Sequence, residues 1–432
     1  MKTITRTIIL ILIVCVNLPA QQEKGIVGYN NWLNPWAEFK PSKVDYGTPT
    51  QILSGTINSD TKLRKKEIYL LLGDVFVTDS TTLTIEPGTV IIGDFKTKGS
   101  LTIGKGCKII AEGTQTDPIV FTSSRSVKKP GDWGGLFILG DAPTSIFGNK
   151  SAINFGLRPS DANNLNYGGD NPDSDSGILN FVRIEFAGKR TRDYGYFNGL
   201  TLAGVGYKTV IQNIMVSYCE GNSFGILGGN LFLDKLVSFR SSINDYEFNF
   251  GARCKMNNSL AIRSPYVSGA AKARSMKILA YNDRENTDFS KLQTSVEAEN
   301  LTLINISDNL NSDIKIGLVN EAIFIGDNAS FAIDKSVISG FNPAVIFDKE
   351  IVINDKNLSK LKFTRTYFNN CNGNIFREGI VNNDDLESWY GSRAFNNVYS
   401  KGPDTETFID ITDEKRPDFR LRINRIIASS DD

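Results

Sequence analysis

Charged residues that alternate along predicted strands are the first candidates for chemistry in this sequence. Arg183 and Glu185 are separated by one residue, so both side chains point to the same face of a β-strand. An arginine or lysine base beside carboxylates that bind calcium is what a polysaccharide lyase requires. Further charged residues of this kind are Arg240, Arg263, Asp245 and Glu247. An ordinary ladder of solvated charges is the simpler interpretation of the whole set.

An acidic loop is the second candidate, for a metal site. Asp170, Asp173 and Asp175 lie with an asparagine in one short segment that begins after two glycines. Their carboxylate and amide oxygens are the ligands that calcium prefers. The segment lacks the fixed glycine and the terminal glutamate of an EF-hand, so a solvated turn is the alternative. No cofactor is required by the sequence, and calcium is the one that stays open.

Composition excludes several classes of function. The sequence contains no histidine, which removes Ser-His-Asp and Cys-His catalysis and every metal site that needs imidazole. Lysine plus arginine equals aspartate plus glutamate, 48 against 48, so no global field attracts nucleic acid or an acidic membrane. We therefore expect no nucleic acid partner.

Short apolar runs recur along the chain and indicate the elements that position these residues. Residues 83–88 and 101–106 are two copies of one motif, and β-type runs separated by Gly, Asn and Asp follow at 119–122, 136–139, 181–186, 211–218, 231–239, 301–306 and 322–325. A β-sandwich would favour tight hairpin turns and strict alternation. Several runs are instead apolar at adjacent positions, such as Val90, Ile91 and Ile92. The pattern predicts an all-β fold, a parallel β-helix whose coils stack about 4.8 Å apart.

The predicted organisation has four parts. Residues 1–20 are a signal peptide, 21–50 an aromatic cap segment, 51–413 the β-helix, and 414–432 a basic C-terminal tail. Long loop insertions are expected near 141–177 and 264–294, where long loops in a solenoid are usually functional or capping. Solenoid ends need caps, so the aromatics of 21–50 are expected to fold over the end of the rod. A ligand platform is the alternative.

The signal peptide is predicted from Lys2 and Arg6, the apolar run over 8–16 and the small residue Ala20. The run is shorter than the roughly 20 residues of a transmembrane helix, so the mature chain is expected to lack a membrane span. Cys15 raises the alternative of a lipoprotein, which the bulky Val14 before it disfavours. The other cysteines, which fit buried thiols better than disulfides, are Cys107, Cys219, Cys254 and Cys371.

Several passages resemble a family of exported right-handed β-helix proteins from Bacteroidota, most of them uncharacterised. The matching stretches are 83–93, 99–106, 113–123, 130–140, 181–188 and 198–206. The resemblance implies a right-handed coil, a place at or beyond the outer membrane, and no established reaction. The sequence departs from the family in lacking its acidic runs after residues 218 and 240. Many members end in a type IX sorting domain, and export by that route under its own signal is not expected here.

Together these observations predict a secreted binding or scaffold protein without catalytic activity. It is expected to be a subunit or accessory of an outer-membrane or cell-surface assembly and to bind a glycan or a surface protein. The candidate contact residues are Tyr29, Trp32, Trp36, Asp245 and Glu247. The alternative is a calcium-dependent enzyme resembling the polysaccharide lyases.

Overall fold

The computed structural model describes residues 24–148, 151–153, 156–157, 159–192, 194–267, 272–380 and 382–422. The predicted signal peptide, 1–20, and the end of the predicted basic tail, 423–432, lie outside these ranges. Within them, no helix is both long enough and apolar enough to span a membrane.

The chain winds into coils of three short strands. In the first half the strands are β1 (Gln51–Ile57), β2 (Thr61–Leu63), β3 (Ile68–Val77), β4 (Thr82–Ile85), β5 (Val90–Gly93), β6 (Ser100–Ile103), β7 (Lys108–Glu112), β8 (Ile119–Ser123), β9 (Gly135–Leu139), β10 (Ser151–Ala152), β11 (Asn166–Tyr167), β12 (Gly177–Glu185), β13 (Arg190–Thr191), β14 (Gly195–Tyr196), β15 (Leu200–Ala203) and β16 (Val210–Ser217). In the second half they are β17 (Phe224–Leu227), β18 (Asn230–Phe239), β19 (Tyr246–Asn249), β20 (Arg253–Asn257), β21 (Leu260–Arg263), β22 (Met276–Ile278), β23 (Ser295–Glu299), β24 (Thr302–Asn305), β25 (Ile323–Ile325), β26 (Ser330–Asp334), β27 (Val337–Ser339), β28 (Val345–Phe347), β29 (Leu361–Thr364), β30 (Tyr367–Asn369), β31 (Ile375–Arg377), β32 (Val398–Ser400), β33 (Phe408–Asp410) and β34 (Asp418–Leu421). Short helices are Leu310–Lys315, Asp355–Leu358, Asp384–Tyr390 and Asp404–Thr407.

Corresponding strands of successive coils pair in parallel and form three sheets. Strand β4 pairs with β7, β5 with β8 and β6 with β9, and these pairs belong to the first, second and third sheet respectively. Strands β12, β16 and β18 each turn from the first sheet into the second. The fold is a right-handed parallel β-helix, which confirms the predicted fold class.

A single residue with positive φ makes the corner between the first and second sheets. Asn213, Asn258 and Asn300 have φ of 49°, 46° and 57° there, as expected for asparagine at a sharp bend. Phe181 and Lys235 occupy the same corner with φ of 50° and 51°. Since the left-handed conformation costs such residues about 1–2 kcal/mol, the stacking of neighbouring coils must hold this corner.

Aliphatic and aromatic side chains fill the interior of the coil. Strand β18 shows the alternation: Leu231 and Leu233 are inside and fully buried, whereas Phe232 between them is 44% exposed. Four cysteines in the described chain are free and buried; burial raises the pKa of the Cys219, Cys254 and Cys371 thiols to about 12. They behave as small core residues and are not poised for redox chemistry.

The outer face of the second sheet is apolar as well and lies under residues 24–50, which we call the strap. Outward residues of this sheet, Met215, Val237 and Leu260, form a second core with Trp36 and Phe39 of the strap. The strap begins beside β27, where the Gly25 N–H donates to Lys335 O (2.8 Å), and ends beside β3, where the Thr50 N–H donates to Ile68 O (2.8 Å). It therefore runs along the flank and does not cover the end of the rod, contrary to the predicted cap.

The C-terminal residues complete this cover. Strands β33 and β34 form an antiparallel hairpin, and Phe419 lies against Phe39 of the strap with ring centroids 6.4 Å apart. The described part of the predicted basic tail is thus folded onto the flank. The cap at the C-terminal end of the rod is the helix Asp384–Tyr390, whose Tyr390 is fully buried and donates its hydroxyl to Leu361 O (2.8 Å).

Candidate functional site

The strap and the corner between the first and second sheets enclose an open cleft of about 690 Å³, which we call the aromatic cleft. Two predicted contact residues line it: the side chain of Tyr29 is 95% exposed, and Trp32 is half-buried. The polar side chains of its lining are amides and one ammonium group, Asn30, Asn31, Asn34, Gln115, Asn258 and Lys235. The cleft thus combines aromatic rings with hydrogen-bond donors and acceptors.

Hydrogen bonds to the strap hold this cleft in place. The Asn258 side chain accepts from the Val27 N–H (2.8 Å) and donates to Val27 O (2.9 Å). Arg420 of the hairpin donates to Gly28 O (2.9 Å) and Tyr29 O (3.2 Å). Both sets of backbone contacts fix the chain next to the Tyr29 ring, so the cleft is preorganised without a ligand.

Trp36 is not a contact residue, although its type and spacing suggested one. It is fully buried, packs edge-on against Phe181 at 5.8 Å, and donates its indole N–H to Trp32 O (2.9 Å). The Trp32 and Trp36 rings are stacked with centroids 6.3 Å apart. Trp36 therefore anchors the strap and supports Trp32 from behind.

The predicted contact residues Asp245 and Glu247 lie on the other side of the coil, at the third sheet. Asp245 is fully buried, forms an ion pair with Arg263 (3.1 Å) and accepts from the Ser238 hydroxyl (2.6 Å). Burial raises the pKa of its carboxyl despite the nearby Arg263. Asp245 is therefore part of the framework and is closed off from solvent. Glu247 is half-buried and accepts from Asn244 Nδ2 (2.9 Å).

Arg183 and Glu185 do share one face, as their spacing predicts, but that face lies under the strap. The Tyr46 hydroxyl donates to Glu185 Oε1 (2.9 Å) and accepts from Arg183 Nη2 (2.9 Å). Glu185 is 1% exposed, and burial raises its pKa although Arg183 opposes the shift. Tyr46 also lines a separate cleft of about 400 Å³, the basic cleft, whose charged side chains are Lys43, Asp45, Arg125 and Lys128.

The three carboxylates of the acidic loop do not come together in the described part of the chain. Asp175 reaches across to the neighbouring coil and pairs with Lys108 (2.5 Å). Partial burial raises its pKa, but the hydrogen bonds from Lys108 and the Gly177 N–H outweigh that effect and leave the pKa low. Asp170 and Asp173 are exposed. In the part of the chain that the structure describes, no three Asp, Glu or Cys side chains converge as metal ligands.

The two predicted insertions meet each other. The segment 264–294 is in fact two loops on either side of β22, and the second of them, 279–294, contacts the 141–177 insertion: Ile146 bridges to Thr287, and Lys291 Nζ donates to Ile146 O (2.8 Å). Between them lies a groove of about 390 Å³, the insertion groove. It is lined by Thr144, Asp170, Asn230, Arg253, Ser290 and Leu292, among others.

A comparison with known protein families identifies the family of this chain. The model of the pectate-lyase-like β-helix domain matches residues 55–406, which is most of the sequence. The chain belongs to this family. No curated protein and no solved structure matches it.

The pectate-lyase-like β-helix domain includes the basic cleft's floor and the insertion groove but not the strap or the hairpin. Residues 24–50 and β33–β34 lie outside the matched range. The aromatic cleft therefore lies between the strap and the matched domain, which supplies Gln115, Lys235 and Asn258. Because this fold carries both enzymes and binding proteins, membership alone assigns no reaction.

Sequence reasoning missed several residues that shape these sites. Tyr46, Asn258 and Arg420 hold the strap or the buried acid, and none of them stands in a recognisable motif. The sequence did contain one sign that the outer face of the second sheet is covered. Runs such as Val90, Ile91 and Ile92 are apolar at every position, which is typical of strands buried on both faces.

Proposed function

We propose that this protein binds a glycan in the aromatic cleft without catalysis, as an exported component of an outer-membrane or cell-surface assembly. One observation carries the proposal: the exposed ring of Tyr29 and the ring of Trp32 lie in one open cleft with several amide side chains. The predicted signal peptide supports the exported setting.

The chemistry of the cleft suits a sugar. Aromatic rings offer flat apolar surfaces to the C–H faces of a pyranose, and amide groups donate to and accept from its hydroxyls. Binding costs little ordering here because Asn258 and Arg420 already fix the strap. A cleft that needs only to hold its ligand does not need an acid or a base, and among the described residues that line it none is a carboxylic acid.

The test is glycan binding by the purified protein, first on an array of oligosaccharides and then by calorimetry with those retained. We expect Tyr29→Ala and Trp32→Ala each to weaken binding on the order of tenfold. Tyr207→Ala is the matched control, since Tyr207 is 57% exposed and lies outside the cleft. Equal affinities of all three variants would refute the proposed site.

A lyase acting at the basic cleft is the second candidate. Its support is the buried carboxyl of Glu185 beside Arg183 and Tyr46, next to a cleft with three cationic side chains and one carboxylate. Glu185 Oε2 makes no hydrogen bond in the described part of the chain, which is unusual for a buried polar atom. Such an arrangement is typical of catalytic sites as well as of structural ion pairs.

An assay for unsaturated uronate products, with calcium and with a chelator, distinguishes the two candidates. Release of such products by the wild-type protein and its loss in Glu185→Gln would establish the lyase. Glu297→Gln is the control, because Glu297 is exposed on the first sheet. Binding to a glycan with no product release supports the binding protein.

A further inference from the structure

We infer that the ligand is an uncharged polysaccharide and that it lies across the first sheet, from the aromatic cleft to the insertion groove. This inference rests on the proposed function and extends it from one cleft to a path several sugars long. We call this path the track. It is defined by the outward residues of β18 and β20.

Two neighbouring strands supply the surface of the track. On β18 the outward side chains are Asn230, Phe232 and Asp234, since Leu231 and Leu233 are buried inside. The outward side chains of β20 are Arg253, Lys255 and Asn257, while Cys254 and Met256 point inward. The two sets are in register, so that Phe232 lies beside Lys255 and Asp234 beside Asn257.

Both ends of this double row open into the clefts already described. At one end Asn230 and Arg253 line the insertion groove. At the other end, Lys235 and Asn258 directly follow the last outward residues and line the aromatic cleft. The four residue steps from position 230 to 234 span about 13 Å. The row itself holds only a short stretch of a glycan, and a longer chain is needed to reach from one concavity to the other.

Charge along the middle of the track is balanced by pairing. Lys235 pairs with Asp234 (3.3 Å), Lys255 lies 3.6 Å from Glu297, and Asn257 Nδ2 donates to Asp234 Oδ1 (2.9 Å). Arg253, at the insertion-groove end, is the one outward cation of the two strands for which the described residues show no ion pair, so it is along the middle of the track that neither sign is in excess. Phe232 stands midway with 44% of its surface exposed, where an aromatic ring can stack on a sugar. The surface thus fits a neutral glycan.

Chain length is the variable that tests the track. Using neutral oligosaccharides of increasing length from a polysaccharide that binds, we expect affinity to rise until the chain spans both clefts. Phe232→Ala should lower the affinity for the long chains about fivefold to tenfold and leave that for the shortest unchanged. Phe147→Ala is the control, because Phe147 is 59% exposed on the insertion and outside the track.

The outcomes separate the two proposals. Short oligosaccharides that bind in a Tyr29-dependent way, with no gain from length or no effect of Phe232→Ala, would overturn the track and leave the aromatic cleft standing. Tighter binding of uronate-containing oligosaccharides than of neutral ones of equal length would overturn the assignment of an uncharged ligand. Absence of binding by every neutral and acidic chain would refute both.

Discussion

The outer faces of the first and second sheets belong to the same coils yet differ in polarity and in exposure to solvent. The second sheet presents apolar residues outward, and the strap and hairpin bury them in a core of their own. Outward residues of the first sheet are mainly polar, and Lys255, Glu297 and Lys362 remain exposed. Burial of both faces makes the second sheet a structural wall, whereas the first sheet is left open as a surface for ligands.

The strap belongs to both regions, since it covers one sheet and shapes the cleft at the edge of the other. Trp36 and Phe39 insert into the covered face, and Tyr29 faces the cleft. Trp32 lines the cleft and also packs against the covered core. Stability and recognition can therefore be separated between Trp36 and Tyr29, whereas Trp32 contributes to both. The predictions below test that separation.

The largest effect is expected from removing a ring on the covered face. Trp36→Ala should lower the free energy of unfolding by about 3–5 kcal/mol, because it leaves a cavity beneath the strap. Phe232→Ala on the open face should change it by less than about 0.5 kcal/mol. Urea unfolding followed by circular dichroism measures both. Similar losses for the two variants would break the comparison.

A smaller effect is expected where a coil corner holds the strap. Asn258→Gly keeps the positive φ but removes both hydrogen bonds to Val27, which should cost about 1–2 kcal/mol. Limited proteolysis should then cut the strap sooner than in the wild-type protein. Asn213→Gly is the control at the same corner, since Asn213 bonds to Asn180 of the neighbouring coil and not to the strap. Equal protease sensitivity of both variants would contradict the role of Asn258 in holding the strap.

The buried carboxyl of Glu185 should also affect how the free energy of unfolding depends on pH. Burial raises the pKa of Glu185 in the folded protein, so the unfolded chain ionises first as the pH rises past its ordinary value of about 4.3. The protonated acid therefore contributes to the free energy of unfolding below that pH. This contribution is lost as the pH rises toward the higher pKa that Glu185 has in the folded protein. Glu185→Gln should remove this loss. Parallel stability curves for the two proteins between pH 4 and 8 would show that Glu185 does not titrate in this way.

Much of the fold could be predicted from the sequence because stacking repeats one local pattern. The apolar runs identify the coils, and asparagine marks corners such as Asn213 and Asn258. Where the strap lies along the rod could not be predicted, because it contacts residues hundreds of positions away in the sequence. An example is the Ile26 N–H, which donates to Thr302 Oγ1. Burial of Trp36 and Asp245 depends on such contacts, and no local spacing encodes them. Tyr29 and Trp32 could be named as candidates by type alone.

The smallest effect is expected for the charged pairs of the open face. Lys255 and Glu297 are 70% and 64% exposed and 3.6 Å apart, so water and salt screen their attraction. Lys255→Gln should therefore leave urea unfolding unchanged within about 0.5 kcal/mol. If the track is correct, the same variant still alters binding of long neutral oligosaccharides, because the side chain lies beside Phe232. A change in stability without a change in binding would show that Lys255 has a structural role. The outer face of the first sheet would then serve stability, as that of the second sheet does.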